Sequence, residues 1–173
     1  LWARNKNDAQ KIQETRENVR YLPNVPLHKN IKVVWDIEEA VHGSSLIVFS
    51  VPSQALRETL KKIIPYIPED SVFVNTAKGL EASTLLRLSQ VMEEELPQKY
   101  KDKIVVLSGP SHAEEVGQKL PTVVVAASYK KEVAEFVQDS FMTPFFRVYT
   151  NTDVIGVELG GALKNIIALA AGI

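Results

Sequence analysis

Cysteine is absent from this chain, which excludes disulfides and thiolate metal sites and fits a reducing compartment. Histidine is scarce. His28, His42 and His112 lie far apart, without the spacing of a metal centre, so they read as loop or surface residues and no metal is expected. An excess of either charge is also missing: 20 Lys and Arg face 21 Asp and Glu, a net charge of −1. That balance leaves no electrostatic footprint for nucleic acid or an anionic membrane. No G-x-G-x-x-G phosphate turn occurs anywhere in the sequence. The opening LWARNKNDAQ shows neither an initiator methionine nor a signal-peptide pattern, and AAGI closes the chain while a helical pattern is still running. These ends read as those of a segment cut from a longer protein.

Long apolar runs are scarce as well. Residues 154–173 form the single membrane candidate, but they contain Glu158, Lys164 and Asn165, which are costly at bilayer depth. A buried or domain-bridging helix is expected there, with no membrane span.

What is present is enough apolar material for a core, 45% of residues, and a regular alternation of patterns. Short β-branched or apolar runs occur at 32–35 (KVVW), 46–50 (LIVFS), 71–75 (SVFVN), 104–107 (IVVL), 122–126 (TVVVA) and 145–149 (FFRVY). Continuous apolar runs of this length suit strands covered on both faces. Between them, 53–64 places Leu56, Leu60, Ile63 and Ile64 on one helical face and stops at Pro65. Residues 83–96 read as a helix capped by Ser83, 132–141 as another, and Asp153 caps the last. The alternation predicts an α/β fold, a doubly wound, mostly parallel sheet with helices on both faces.

Ligands of such sheets bind at the carboxyl ends of strands. The residues following three of the strands are Val51-Pro52-Ser53, Thr76-Ala77-Lys78-Gly79 and Gly109-Pro110-Ser111. Tight turns alone call for such compositions, but Lys78 follows a buried strand directly and should project over the ligand edge. Ser111 with Glu114 makes an S-x-x-E helix start, whose backbone N–H groups suit an anion. Lys164 stands in the apolar run LGGALKNIIALAAGI. It is either a lysine whose stem lets its ammonium reach water, or one held in an apolar site because its chemistry needs one.

SGPSHAEEV, LPTVVVAAS and FRVYTNTDVIGVELGGALKN, with NTAKGLE, VPSQAL, LWAR and NVRYLPN in the same order, resemble bacterial-type NAD(P)-dependent glycerol-3-phosphate dehydrogenases from end to end. The resemblance implies a Rossmann-like NAD(P)-binding domain over 1–152 that lacks its first βα unit. Residues 153–173 would begin a helical substrate domain. It implies reversible reduction of dihydroxyacetone phosphate by NAD(P)H to sn-glycerol 3-phosphate, for glycerophospholipid synthesis in the cytoplasm. Lys164 then matches the catalytic acid/base and also contacts substrate. Lys78 contacts substrate and cofactor, Gly109 and Ser111 line the substrate site, and Arg4, Asn5, Tyr21 and Ala113 match cofactor positions. A homodimer is left open by the resemblance. A segment lacking the glycine loop and the second domain is expected to be poorly active by itself.

Chemistry supports the carry-over. Reducing a ketone needs a proton donor at its oxygen, and oxidation needs the same group as base. In a helix, Gly160 and Gly161 leave room beside Lys164, while Ile167 and Ala168 desolvate it, and a nearby Lys78 lowers its proton affinity further. Arg4, in place of an acidic ribose partner, suits a 2′-phosphate and hence NADPH. Two other readings remain: a related dehydrogenase acting on a hydroxy acid or sugar acid phosphate, and a catalytically silent nucleotide-binding relative.

Overall fold

The computed structural model describes residues 1–172. Five strands form one sheet in chain order: β3 (Leu46–Phe49), β4 (Val72–Asn75), β5 (Ile104–Ser108), β6 (Thr122–Ala127) and β7 (Phe146–Asn151). Ahead of them stands a short antiparallel hairpin, β1 (Glu17–Asn18) with β2 (Leu22–Pro26). Pairing is parallel from β3 to β5 and again between β6 and β7, but β5 and β6 run antiparallel. The α/β, mostly parallel sheet expected from the sequence is therefore present, with one reversal inside it.

The alternation of side chains along β4 and β5 divides the core. Phe73 and Ile104 join Leu56, Leu60, Ile63, Leu88, Val91 and Met92 beneath α3 (Leu56–Ile63) and α4 (Leu88–Glu95). Val72, Val74, Val105 and Leu107 point to the other face and meet Val137 of α6 (Lys131–Phe141). Val106 shares the α4 side of the sheet and packs with Ala127 on Val154, at the start of α7 (Val154–Ala171). Strands buried on both faces explain their unbroken apolar runs.

Several boundaries differ from the sequence expectations. The helix expected over 53–64 begins as a 3₁₀ turn, Ser53–Ala55, and ends in another, Ile64–Tyr66, around Pro65. Ser83 caps nothing. Residues 82–84 turn, Leu85 takes a positive φ of 60°, Arg87 bridges to Leu80, and α4 starts only at Leu88. The run 32–35 makes a single parallel bridge between Val34 and Trp2, outside the main sheet. Three further elements are present: the hairpin and α2 (Ile37–Val41), too short to show a period, and α1 (Lys6–Thr15), whose polar sequence buries Ala9 alone. Both helices have side-chain caps, with Asn5 accepting from Asn7 and Asp8 N–H and Asp36 from Glu38 and Glu39 N–H. α7 is apolar and long enough to cross a membrane, with a mean hydropathy of 1.6. Its Glu158, however, is buried against protein donors, as a docked helix requires.

The turn before α4 is held from α3. Arg57 pairs bidentately with Glu81 at 2.8 and 2.9 Å and also reaches Glu94 and Glu95. This guanidinium and the Thr84 hydroxyl hold the Glu81 carboxyl down to about 2, from the usual 4.5. A carboxyl lowered on folding adds stability that is complete above pH 4.5 and lost as pH falls towards 2. Between those limits the Tm of the full-length protein should drop more steeply for wild type than for Glu81→Gln, as circular dichroism melts would show.

Candidate active site

The loops after β3, β4 and β5 meet at one sheet edge. Thr76 Oγ1 lies 3.0 Å from Ser50 Oγ and donates to the Phe49 carbonyl at 2.9 Å. Buried Asn75 folds the next turn by accepting from the Ala77 N–H and donating to the Ala77 carbonyl. Gln54 brackets the far side of the loop, donating to the Leu80 carbonyl and accepting from the Ala82 N–H. Gly79 has a φ of +125°, a conformation open to glycine and strained for other residues. Lys78 is the side chain this framework presents.

Its ammonium donates to the Ser111 carbonyl at 3.0 Å and to Ser111 Oγ at 3.2 Å. Ser111 therefore does not cap a helix. The helix α5 (Ala113–Gly117) starts after His112 without a side-chain cap, which replaces the S-x-x-E reading with a lysine contact. The Lys78 proton affinity is lowered, first by burial and then by the charge and proximity of the Lys164 side chain. The two lysines thus converge from different elements.

α7 makes this meeting possible. Because β6 and β7 run against β5, α7 begins beside Val106 and Ala127 and travels towards the carboxyl end of β5. Gly161 passes so close to the Ser108 hydroxyl at that end that a methyl group there would overlap it, with the Lys78 stem 3.8 Å beyond. Lys164 follows less than one turn later. Gly109 is a second close approach: a Cβ would lie 2.6 Å from the Val123 carbonyl and 2.8 Å from Val124 Cα. The β6 backbone leaves room for hydrogen alone.

Arg4, Asn5, Tyr21 and Lys78 all line one cleft of about 1000 Å³, together with Ser50 and Pro52. Arg4 makes no hydrogen bond or ion pair among the described residues, so its donors face the cleft unspent. Tyr21 stands 68% exposed at the hairpin, with Arg20 stacked 5.1 Å from its ring centre. The Asn5 carbonyl is already engaged as the α1 cap, leaving its amide nitrogen for a ligand. Volume and donors suit the nucleoside end of a dinucleotide; no glycine-rich turn for its pyrophosphate is among these residues. Ala113 is exposed at the start of α5 and does not line this cleft. A shallower hollow of about 490 Å³ on the last turns of α7, lined by Asn165, Ala168, Leu169 and Gly172, holds no ionisable group.

Gly161 stands beside Lys164 as the sequence suggested, but its neighbour Ser108 was not singled out, and Glu158 entered only as a charge too costly for a membrane span. The paired glycines in an otherwise apolar helix were the available signal for Ser108. Glu158 accepts from the Ser89 N–H at 2.8 Å, from Ser89 Oγ at 2.6 Å and from Arg87 at 3.0 Å, and so fastens α7 to the start of α4.

A wound sheet with its ligand edge beside a nucleotide-sized cleft is the architecture of a Rossmann-like, nucleotide-binding domain. Comparison with known proteins narrows this. The profile of the NAD-dependent glycerol-3-phosphate dehydrogenase N-terminus matches residues 1–134, and that of the C-terminus matches 153–173. The glycerol-3-phosphate dehydrogenase, NAD(P)+, of Bacillus velezensis is 55% identical over all 173 residues, and that of Moorella thermoacetica is 57% identical over 172. The chain spans 50% of either relative's length. The crystal structure of glycerol-3-phosphate dehydrogenase from Coxiella burnetii superposes with a TM-score of 0.88 at 35% identity, covering 99% of this chain and 52% of that one. The chain belongs to the NAD-dependent glycerol-3-phosphate dehydrogenase family.

Gly109→Ala is expected to destabilise the full-length protein by about 1–3 kcal/mol through overpacking against β6. Denaturant titration beside wild type measures it.

Proposed function

We propose that the complete protein reduces dihydroxyacetone phosphate reversibly to sn-glycerol 3-phosphate with NAD(P)H, and so supplies glycerophospholipid synthesis in the cytoplasm. The observation that carries this reading is Lys78, from the loop after β4, held on Ser111 with its stem against Gly161 of α7, less than one turn before Lys164. Residues 1–152 act as the nucleotide-binding domain, and 153–173 open the helical substrate domain.

Two ammonium groups in a partly desolvated edge form an electropositive trap for an anionic substrate. Lys78, anchored on the Ser111 carbonyl and hydroxyl, holds fixed positive charge beside the reacting group and contacts both substrate and cofactor. Lys164 gives its proton to the carbonyl oxygen as negative charge develops there, and takes it back during oxidation. The nicotinamide, when bound, supplies the hydride in reduction and accepts it in oxidation. Gly109 and Ser111 shape the substrate side of the edge. Arg4, Asn5 and Tyr21 receive the nucleoside end in the cleft; the cofactor role of Ala113, outside that cleft, rests on the family resemblance.

Nicotinamide absorbance during dihydroxyacetone phosphate reduction by the full-length protein tests this reading. Lys164→Ala should lower kcat by about 10²–10⁴-fold while cofactor affinity stays near wild type. Turnover of another substrate alone, or cofactor binding without any turnover, would refute it. Arg4→Ala should raise the KM for NADPH about tenfold or more and barely change that for NADH, as loss of a charged 2′-phosphate contact requires. Equal behaviour of the two cofactors, unaffected by the substitution, would remove the proposed role of Arg4.

A further inference from the structure

Resting on the proposed role of Lys164, the geometry points to Glu158 as the positioning residue that sets Lys164 at the ligand edge, by locking α7 onto the N-terminus of α4 through Ser89 and Arg87.

Only Val154 and Glu158 are buried among the eighteen residues of α7. Val154 contributes a non-directional apolar contact, which fixes neither the rotation nor the sliding of a helix. Glu158 is different. Its side chain is 3% exposed and meets three donors of fixed direction: one backbone N–H, one hydroxyl and one guanidinium. The N–H belongs to the first turn of α4, where helices leave such donors unpaired. The carboxylate thereby satisfies α4 and is itself compensated, as burial of a charge demands. Lys164 follows six residues later, about 9 Å along the axis. Gly161 lies between them, where an added methyl would meet the Ser108 hydroxyl. Displacing a catalytic group by about 1 Å can cost on the order of 100-fold in rate, so a buried directional clamp that sets the rotation and height of α7 is a determinant of turnover.

The test uses Glu158→Gln in the full-length protein. Glutamine keeps the shape, loses the charge facing Arg87 and turns one oxygen into a second donor against Ser89. The expected result is a fall in kcat of about tenfold or more per folded molecule, with the NADH Kd and KM within about twofold of wild type. An unchanged kcat per folded molecule, whatever happens to Tm, overturns the proposal. Should Glu158→Gln not fold, Arg87→Lys serves instead: a drop in kcat of about threefold or more supports the clamp, and a wild-type kcat overturns it. Lys164→Ala is run alongside. Wild-type turnover there removes the role of Lys164 itself, and this proposal with it. An inactive Lys164→Ala beside a fully active Glu158→Gln refutes the positioning role alone.

Discussion

The reversal of strand direction between β5 and β6 is the constraint on which the remaining architecture depends. Connections between parallel neighbours are almost always right-handed. While β3, β4 and β5 point one way and succeed one another across the sheet, that rule sends α3 and α4 to the same face. Inverting the strand direction and continuing across the sheet sends the next crossover, α6, to the opposite face. One antiparallel step therefore covers both sides of the core. It also decides where α7 begins. Had β6 and β7 run with β5, α7 would start at the ligand edge and lead away from it; here it starts lower down and climbs the sheet to that edge.

The electrostatics of the edge follow a division of labour. The two lysines face each other without an intervening carboxylate among their described partners, while the acids sit one layer back. Glu81 is occupied by Arg57, and Glu158 by Arg87. Both pairs hold the same stretch of chain, from the loop behind Lys78 to the start of α4. Its turn is closed by Glu81 and Leu86, whose backbone groups bond at 3.0 Å. Structural charges are thus neutralised locally, and unneutralised positive charge is left where an anion can meet it.

Much of this was legible in the sequence. The central strands β4 and β5 announced themselves because burial on both faces writes continuous apolar runs, the outer strands through β-branched and aromatic content, and Lys78 could be placed because it follows such a run directly. The meaning of Lys164 came from resemblance and from its odd neighbours. What stayed illegible has physical reasons. The antiparallel step leaves no local mark, since β5 and β6 are equally apolar whichever way they run. The late start of α4 depends on Leu85 adopting a left-handed backbone, which tertiary contacts impose against the propensity of an apolar residue. Ser111 followed by Glu114 had the grammar of a helix cap, but a lysine 33 residues away took the hydroxyl instead. Glu158 could be read only as a charge unsuited to a membrane span, because no sequence pattern reveals that its partners lie 69 and 71 residues earlier.

Those separations bear on how the molecule comes into being. Bringing distant segments together costs chain entropy before any contact repays it, so local pairings form readily and remote ones late. The β3–α3–β4 unit can organise from neighbouring residues, whereas the seat of α7 exists only once α4, β5 and the reversed pair are in place. On a ribosome, where the chain emerges from its N-terminus, the lysine of α7 is also among the last of these residues to be made. An assembling chain therefore carries the cleft lined by Arg4, Asn5 and Tyr21 well before α7 brings Lys164 to the edge that Lys78 occupies.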